Sequence, residues 1–140
     1  NANGGAGFTE YNDGTIQFET TQWSQGYYDN GKIWQTFTLP EGKYEMRIEV
    51  KNAANIGSGS TNIHFAVAQG ESLPDNEELE KSDIILSYLK FESEHTNKTS
   101  ALPIFELTEE KTITVGWVVS FSDICRNIEF KSVRLWSVAE

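Results

Sequence analysis

The sequence predicts an all-β fold, an antiparallel β-sandwich, on three observations. Short runs alternate apolar and polar residues with a period of two. Each run is bounded by Gly, Pro, Asn or Asp, and only one segment, ESLPDNEELEKSD (71–83), has helical character. Strands that are apolar on one face must bury that face, and roughly seven or eight short ones do so by packing one sheet on another.

In chain order, NANGGAG (1–7) reads as linker and residues 8–138 as one domain. GTIQFE (14–19) follows an Asp13-Gly14 turn and alternates Ile16 and Phe18 with polar neighbours. IWQTFTLPEGKYEMRIEV (33–50) reads as a hairpin: Ile33, Phe37 and Leu39 share one face, and Tyr44, Met46, Ile48 and Val50 share another. Pro40-Glu41-Gly42 supplies its turn, proline presetting φ and glycine tolerating a positive φ. NAANIGSGSTN (52–62) reads as a loop, and Ile63, Phe65 and Val67 alternate again. Asp75 or Asn76 caps the short helical turn, with acids where the helix dipole favours them, and the turn is expected on the surface. DIILSYLKF (83–91) is a strand by its β-branched pair and aromatics, or else continues that helix. IFEL (104–107), a Glu109-Glu110-Lys111 turn and TITVGWVVSF (112–121) follow, with Ile113, Val115, Trp117, Val119 and Phe121 on one face and Trp117 in the core. In IEFKSVRLWSV (128–138) the apolar phase slips between Phe130 and Val133, which predicts a bulge near Lys131-Ser132.

If successive strands run antiparallel, the tight turns 40–42 and 109–111 fall at one end of the sandwich with the excursion 70–83. The polar loops 20–32, 52–61, 92–102 and 122–127 fall at the other, provided that 84–91 is a strand. That second end gathers Trp23, Tyr27, Tyr28, Asp29, Asn30, Asn52, Asn55, His95, Asn97, Asp123, Arg126 and Asn127. Trp34 and Trp136 lie out of phase with their apolar neighbours and are expected to face outward, either packing under a loop or, for Trp136, standing beside Arg134 as a cation–π pair.

Composition excludes several classes. At 140 residues the chain buries about two-thirds of its unfolded surface in one core. Its net charge of −10 and lack of any Lys/Arg stripe exclude nucleic acid and anionic membrane surfaces as partners. No apolar run nears the ~20 residues of a membrane span, so this domain is not expected to insert. Cys125 is the sole cysteine, which leaves no internal disulfide and no cysteine-based zinc site. No G-x-S-x-G elbow, H-E-x-x-H pair or P-loop occurs, and His64 and His95 stand apart, so no catalytic residue is assigned. Glu10, Asp13, Asp29 and Glu129 could hold a structural calcium, but scattered surface acids explain them better, and no cofactor is expected.

The mixture at the polar-loop end suits a glycan. A sugar offers a flat C–H face, which Trp and Tyr rings meet, and a rim of hydroxyls, which planar amides, carboxylates and guanidinium groups meet. Trp23, Tyr27 and Tyr28 are the stacking candidates, and Asp29, Asp123, Arg126 and Asn127 the hydroxyl partners. The competing explanation is that the rings cap the core edge and the polar residues are turn formers. Two functions follow: a non-catalytic carbohydrate-binding module, or a structural spacer or protein-interaction domain.

The stretch Gly31 to Tyr44, GKIWQTFTLPEGKY, resembles the aromatic-Gln-Thr-Phe strand and Leu-Pro-x-Gly turn that recur in galactose-binding-like jelly-roll domains. Together with Phe65-Ala66-Val67-Ala68, Gln69-Gly70, Leu73-Pro74-Asp75 and Val133-Arg134-Leu135, it is similar to an uncharacterised family of C-terminal domains in surface lipoproteins of Gram-negative gut bacteria. This resemblance, over about residues 8–138, implies a jelly roll and glycan capture, on the extracellular face of the outer membrane or in the periplasm, with the signal region lying outside this sequence. It carries no motif of binding residues, and related modules bind either at the loop end or on the sheet face.

Overall fold

The alternating apolar positions build two sheets. The computed structural model describes residues 2–3, 7–10, 16–19, 27–54, 61–92, 96–121 and 127–138, with side chains over 32–51, 62–92, 96–120, 130 and 132–138. Within them lie strands β1 (Ala2–Asn3), β2 (Gly7–Glu10), β3 (Ile16–Glu19), β4 (Tyr27–Leu39), β5 (Gly42–Ala54), β6 (Thr61–Gln69), β7 (Ile85–Lys90), β8 (Lys98–Ala101), β9 (Phe105–Leu107), β10 (Lys111–Phe121) and β11 (Asn127–Val138), and one helical turn, α1 (Asn76–Leu79). A five-stranded sheet has the order β1-β4-β10-β6-β7 and a six-stranded sheet the order β2-β3-β11-β5-β8, with β9 also on β5. All the pairings are antiparallel, as the sandwich prediction requires.

The hairpin expected over 33–50 is corrected. Its arms do not pair with each other: β4 bonds to β10, and β5 bonds to β11 in the opposite sheet. Pro40-Glu41-Gly42 is therefore a corner between sheets. Alternation and turn chemistry look alike in a hairpin and a corner, and the burial of each arm's apolar face decides between them. The Tyr44 hydroxyl donates to the Pro40 carbonyl at 2.7 Å and ties the corner, while Gly42 turns through it at φ 154°.

Three further boundaries shift. The segment 20–32, expected as loop, becomes strand from Tyr27, because β10 offers pairing partners as far as Phe121↔Tyr28. The expected loop 92–102 contains β8, which pairs on β5, and the NANGGAG lead contributes β1 and the first residue of β2. All three lack an apolar alternation, so only tertiary pairing makes them strand. Segment 83–91 resolves as a strand. The registers Asn127↔Glu19, Asn127↔Ala54, Phe121↔Thr61 and Phe121↔Tyr28 bring those strand ends to one end of each sheet, and Lys111↔Leu39 and Gly42↔Leu107 mark the other.

Between the sheets Met46, Ile48, Val50 and Phe130 face Ile63, Phe65, Val67, Ile113, Val115 and Val119. Trp117, 1% exposed, sits at the centre with Phe130, Phe91 and Phe65 at 4.6, 4.8 and 5.2 Å. Its Nε1 finds no acceptor among the described residues.

The excursion between β6 and β7 does more than lie on the surface. It folds over the outer face of the five-stranded sheet and buries Leu73 and Leu79 on Ala66, Ala68 and Val118. Lys32 of β4 holds it, donating to the Leu73 carbonyl at 2.9 Å and pairing with Asp75 at 2.7 Å. Asp75 occupies the N-cap position but its side chain caps nothing. His64, buried under the excursion, is hydrogen-bonded through Nδ1 with Asn76 Oδ1 at 2.9 Å and through Nε2 with Glu80 Oε2 at 2.7 Å. The Asn76 orientation follows from its Nδ2, which donates to the Asn62 carbonyl and to Ser120 Oγ. The His64 hydrogen bond, assisted by the charges of His64 and Lys90, holds the Glu80 carboxyl below the usual carboxylate range against the opposing pull of desolvation.

Candidate functional site

The outer face of the six-stranded sheet carries a groove lined by polar and aromatic side chains. On β5, burying Tyr44, Met46, Ile48 and Val50 turns Glu45, Arg47 and Glu49 outward. On β11 the outward positions depend on an irregularity. Phe130 pairs with Val50 and Ser132 with Glu49, so Lys131 is the extra residue of a bulge at the position that the sequence predicts. Phe130 is buried before the bulge. After it Val133 and Leu135 pack against the core, and Arg134 and Trp136 stand outside. Were Lys131 taken into regular alternation instead of a bulge, the phase would reverse, placing the guanidinium and the indole in the core and two aliphatic chains in solvent.

Registers Glu49↔Ser132, Arg47↔Arg134 and Glu45↔Trp136 bring these residues together, and Thr99 of β8 lies opposite Glu49 on the other side. Arg47, Glu49, Thr99, Ser132, Arg134 and Trp136 line one shallow groove. Trp136 remains 46% exposed, and the Arg47 guanidinium stands over its ring at 5.2 Å. Arg47 also donates from Nε to Glu45 Oε1 at 2.6 Å, so the guanidinium is fixed from two sides. Ser132 Oγ donates to Glu49 Oε1 at 3.4 Å. The groove thus combines a pinned aromatic plate, guanidinium donors, a carboxylate acceptor and two hydroxyls. The expected indole partner, Arg134, is replaced by Arg47, because the diagonal neighbour across antiparallel strands lies within reach of a long side chain.

Of the residues that the sequence nominates, Trp23, Asp123 and Arg126 lie outside the described residues. Tyr27, Tyr28 and Asp29 lie on the backbone of β4 and Asn127 begins β11, but their side chains also lie outside the described set. So do those of the calcium candidates Glu10, Asp13, Asp29 and Glu129. Among the described residues no three His, Cys, Asp or Glu side chains come together in a metal-binding group, and no helix is long and apolar enough to cross a membrane. Arg47, Glu49, Thr99 and Ser132 were not nominated from sequence. The outward phase of Trp136 and Arg134 was the available signal, and finding their neighbours required the β5–β11 register. Trp34 also faces outward as expected, 58% exposed on the opposite sheet, where Gly116 is its cross-strand partner.

The chain aligns with three solved structures. A candidate sugar binding protein from Bacteroides thetaiotaomicron VPI-5482 aligns with a TM-score of 0.55 at 12% identity, over 96% of this chain and 82% of that one. A mutant Xylanase10C from Cellvibrio japonicus in complex with xylopentaose aligns with a TM-score of 0.51 at 14% identity, over 99% of this chain but 27% of that one. TmCBM61 in complex with β-1,4-galactotriose aligns with a TM-score of 0.49 at 12% identity, over 99% and 88%. At these identities the likeness to the first two is one of fold. No curated protein matches the chain in sequence. Residues 1–116 match the family described as Domain of unknown function (DUF5013), and the chain belongs to that family.

Proposed function

We propose that this domain is a non-catalytic carbohydrate-binding module that acts at a bacterial cell surface or in the periplasm, as part of a surface lipoprotein, and that the outer face of its six-stranded sheet binds the glycan. Trp136 carries the reading: an indole of this size is left half in solvent on a sheet face while a guanidinium pins it in place. Such a plate suits the C–H face of a sugar, and Glu49, Ser132 and Thr99 border it with groups that exchange hydrogen bonds with hydroxyls. The fold shared with a candidate sugar binding protein supports the same reading. The loop end, with Trp23, Tyr27 and Tyr28 as stacking residues and Asp29, Asp123, Arg126 and Asn127 as hydroxyl partners, is proposed as a second contact zone. The convergence of the flanking strand ends supports it.

A glycan array probed with wild type, Trp136→Ala and Trp23→Ala tests the proposal. Wild type is expected to give reproducible hits that weaken by about tenfold or more in Trp136→Ala, as for loss of an aromatic anchor. Hits lost only in Trp23→Ala would move the binding surface to the loop end. No hit with wild type would leave the spacer or protein-interaction reading in its place.

A further inference from the structure

The chain has three arginines, Arg47, Arg126 and Arg134, in a sequence of net charge −10. Two of them, Arg47 and Arg134, are directly opposite each other on β5 and β11, on the outer face beside Trp136. Like charges paired across antiparallel strands repel, and a fold gains nothing by placing them there. Glu45 balances Arg47 through the 2.6 Å contact, and the guanidinium stands over the indole at 5.2 Å. Arg134 has no comparable partner among the described residues. It is exposed, and no described carboxylate lies within ion-pair distance of it. Among the described residues the groove therefore presents an outward guanidinium without an ion-pair partner next to an aromatic plate, and the acid in its lining, Glu49, faces Ser132.

We infer that this face takes an acidic glycan, with Arg134 receiving the carboxylate of a uronic acid whose ring, or whose neighbour's ring, lies on Trp136. The inference rests on the sugar-binding reading of the same face and adds the class of sugar. A guanidinium presents its N–H groups in a planar fork that matches both oxygens of a carboxylate, a match that a neutral hydroxymethyl group cannot make. An anion at Arg134 would also relieve the repulsion with Arg47. Glu49, Ser132 and Thr99 would remain for the hydroxyls. Among the charged groups lining the groove, Glu49 opposes an anion and the two arginines favour it, so the carboxylate is expected at the Arg134 side.

Isothermal titration with two probes of equal length, tetragalacturonate and its neutral counterpart galactotetraose, separates the possibilities. Wild type is expected to bind the acidic probe at least tenfold more tightly, with a preference that shrinks as salt rises from 0.05 to about 0.5 M. Arg134→Gln, at an exposed position that leaves the core untouched, is expected to weaken binding of the acidic probe at least tenfold and to abolish the preference over the neutral one. Trp136→Ala is expected to lose both. Equal or tighter binding of galactotetraose by wild type would overturn the acidic-glycan inference and leave the sugar-binding reading standing. An acidic preference that survives Arg134→Gln would overturn the role of Arg134. Binding of neither probe by a correctly folded wild type that still gives neutral hits on the array would overturn the inference alone; with no array hits, both readings fall.

Discussion

At Gly116 the backbone of β10 approaches β4 so closely that a side chain has no room. A Cβ built there would lie 2.2 Å from the Ile33 carbonyl oxygen and 2.7 Å from Trp34 Cα, and backbone atoms cannot swing aside as the end of a flexible side chain can. Gly116→Ala is expected to destabilise the domain by about 1–3 kcal/mol, read by urea denaturation, as overpacking does elsewhere. Unchanged stability would mean that β4 moves away freely. Single atoms matter on the sheet face as well. The Arg47 guanidinium satisfies Glu45 and covers Trp136 at once, so the indole is held ready instead of sampling rotamers in solvent. The periodicity of β5 already shows that Arg47 points outward. That its partner is Trp136 depends on a cross-strand register invisible in the sequence.

At the scale of elements, one bulge and one excursion decide what the two outer faces present. The bulge at Lys131 reverses the side-chain phase of β11 and delivers Arg134 and Trp136 to the six-stranded face. It is legible in the sequence because the apolar phase breaks within four residues, Phe130 to Val133. The excursion carrying α1 seals part of the other face, and its hydrophobic contribution is harder to read: Leu73 and Leu79 are isolated among acids and one proline, and Ala66 and Ala68 are ambiguous in a strand. Its anchor is titratable. Because the folded Glu80 carboxyl is held below its ordinary range by His64, its contribution to stability is complete above the unfolded value and drains away as pH falls through the folded one. His64, Lys90 and Tyr88 are the groups acting on it. The melting temperature of wild type is expected to exceed that of Glu80→Gln near neutrality and to converge with it as pH falls below the ordinary carboxylate range, through the folded value of Glu80. Glu80 is half-exposed and solvent screens the pair, so the gap is expected to be modest. A gap that is constant with pH would assign the effect to packing alone.

For the molecule as a whole, the two sheets share one aromatic centre. Trp117 from the five-stranded sheet stacks on Phe130 from the six-stranded sheet at 4.6 Å, with an interplanar angle of 29°, so its ring bridges the layers. Trp117→Ala is expected to cost about 3–5 kcal/mol, a large part of the ~5–15 kcal/mol that domains of this kind possess. The midpoint should fall by about 10 °C or more, with backbone and aromatic circular dichroism changing together. Separate transitions would show that the sheets unfold independently.

The sequence by itself determined the class of fold, most strand positions, the bulge, the buried place of Trp117 and the outward phase of Trp34, Arg134 and Trp136. These follow from local rules: side chains alternate along a strand, and apolar faces must be covered. Only the tertiary structure decided that the Pro40-Glu41-Gly42 segment is a corner and not a hairpin, that β4 reaches back to Tyr27, and that Arg47 meets both Trp136 and Arg134. Each of these depends on which strand lies alongside which. Strand partnership is chosen by burial summed over the whole molecule, and period-two alternation, being the same whichever neighbour a strand finds, does not encode it.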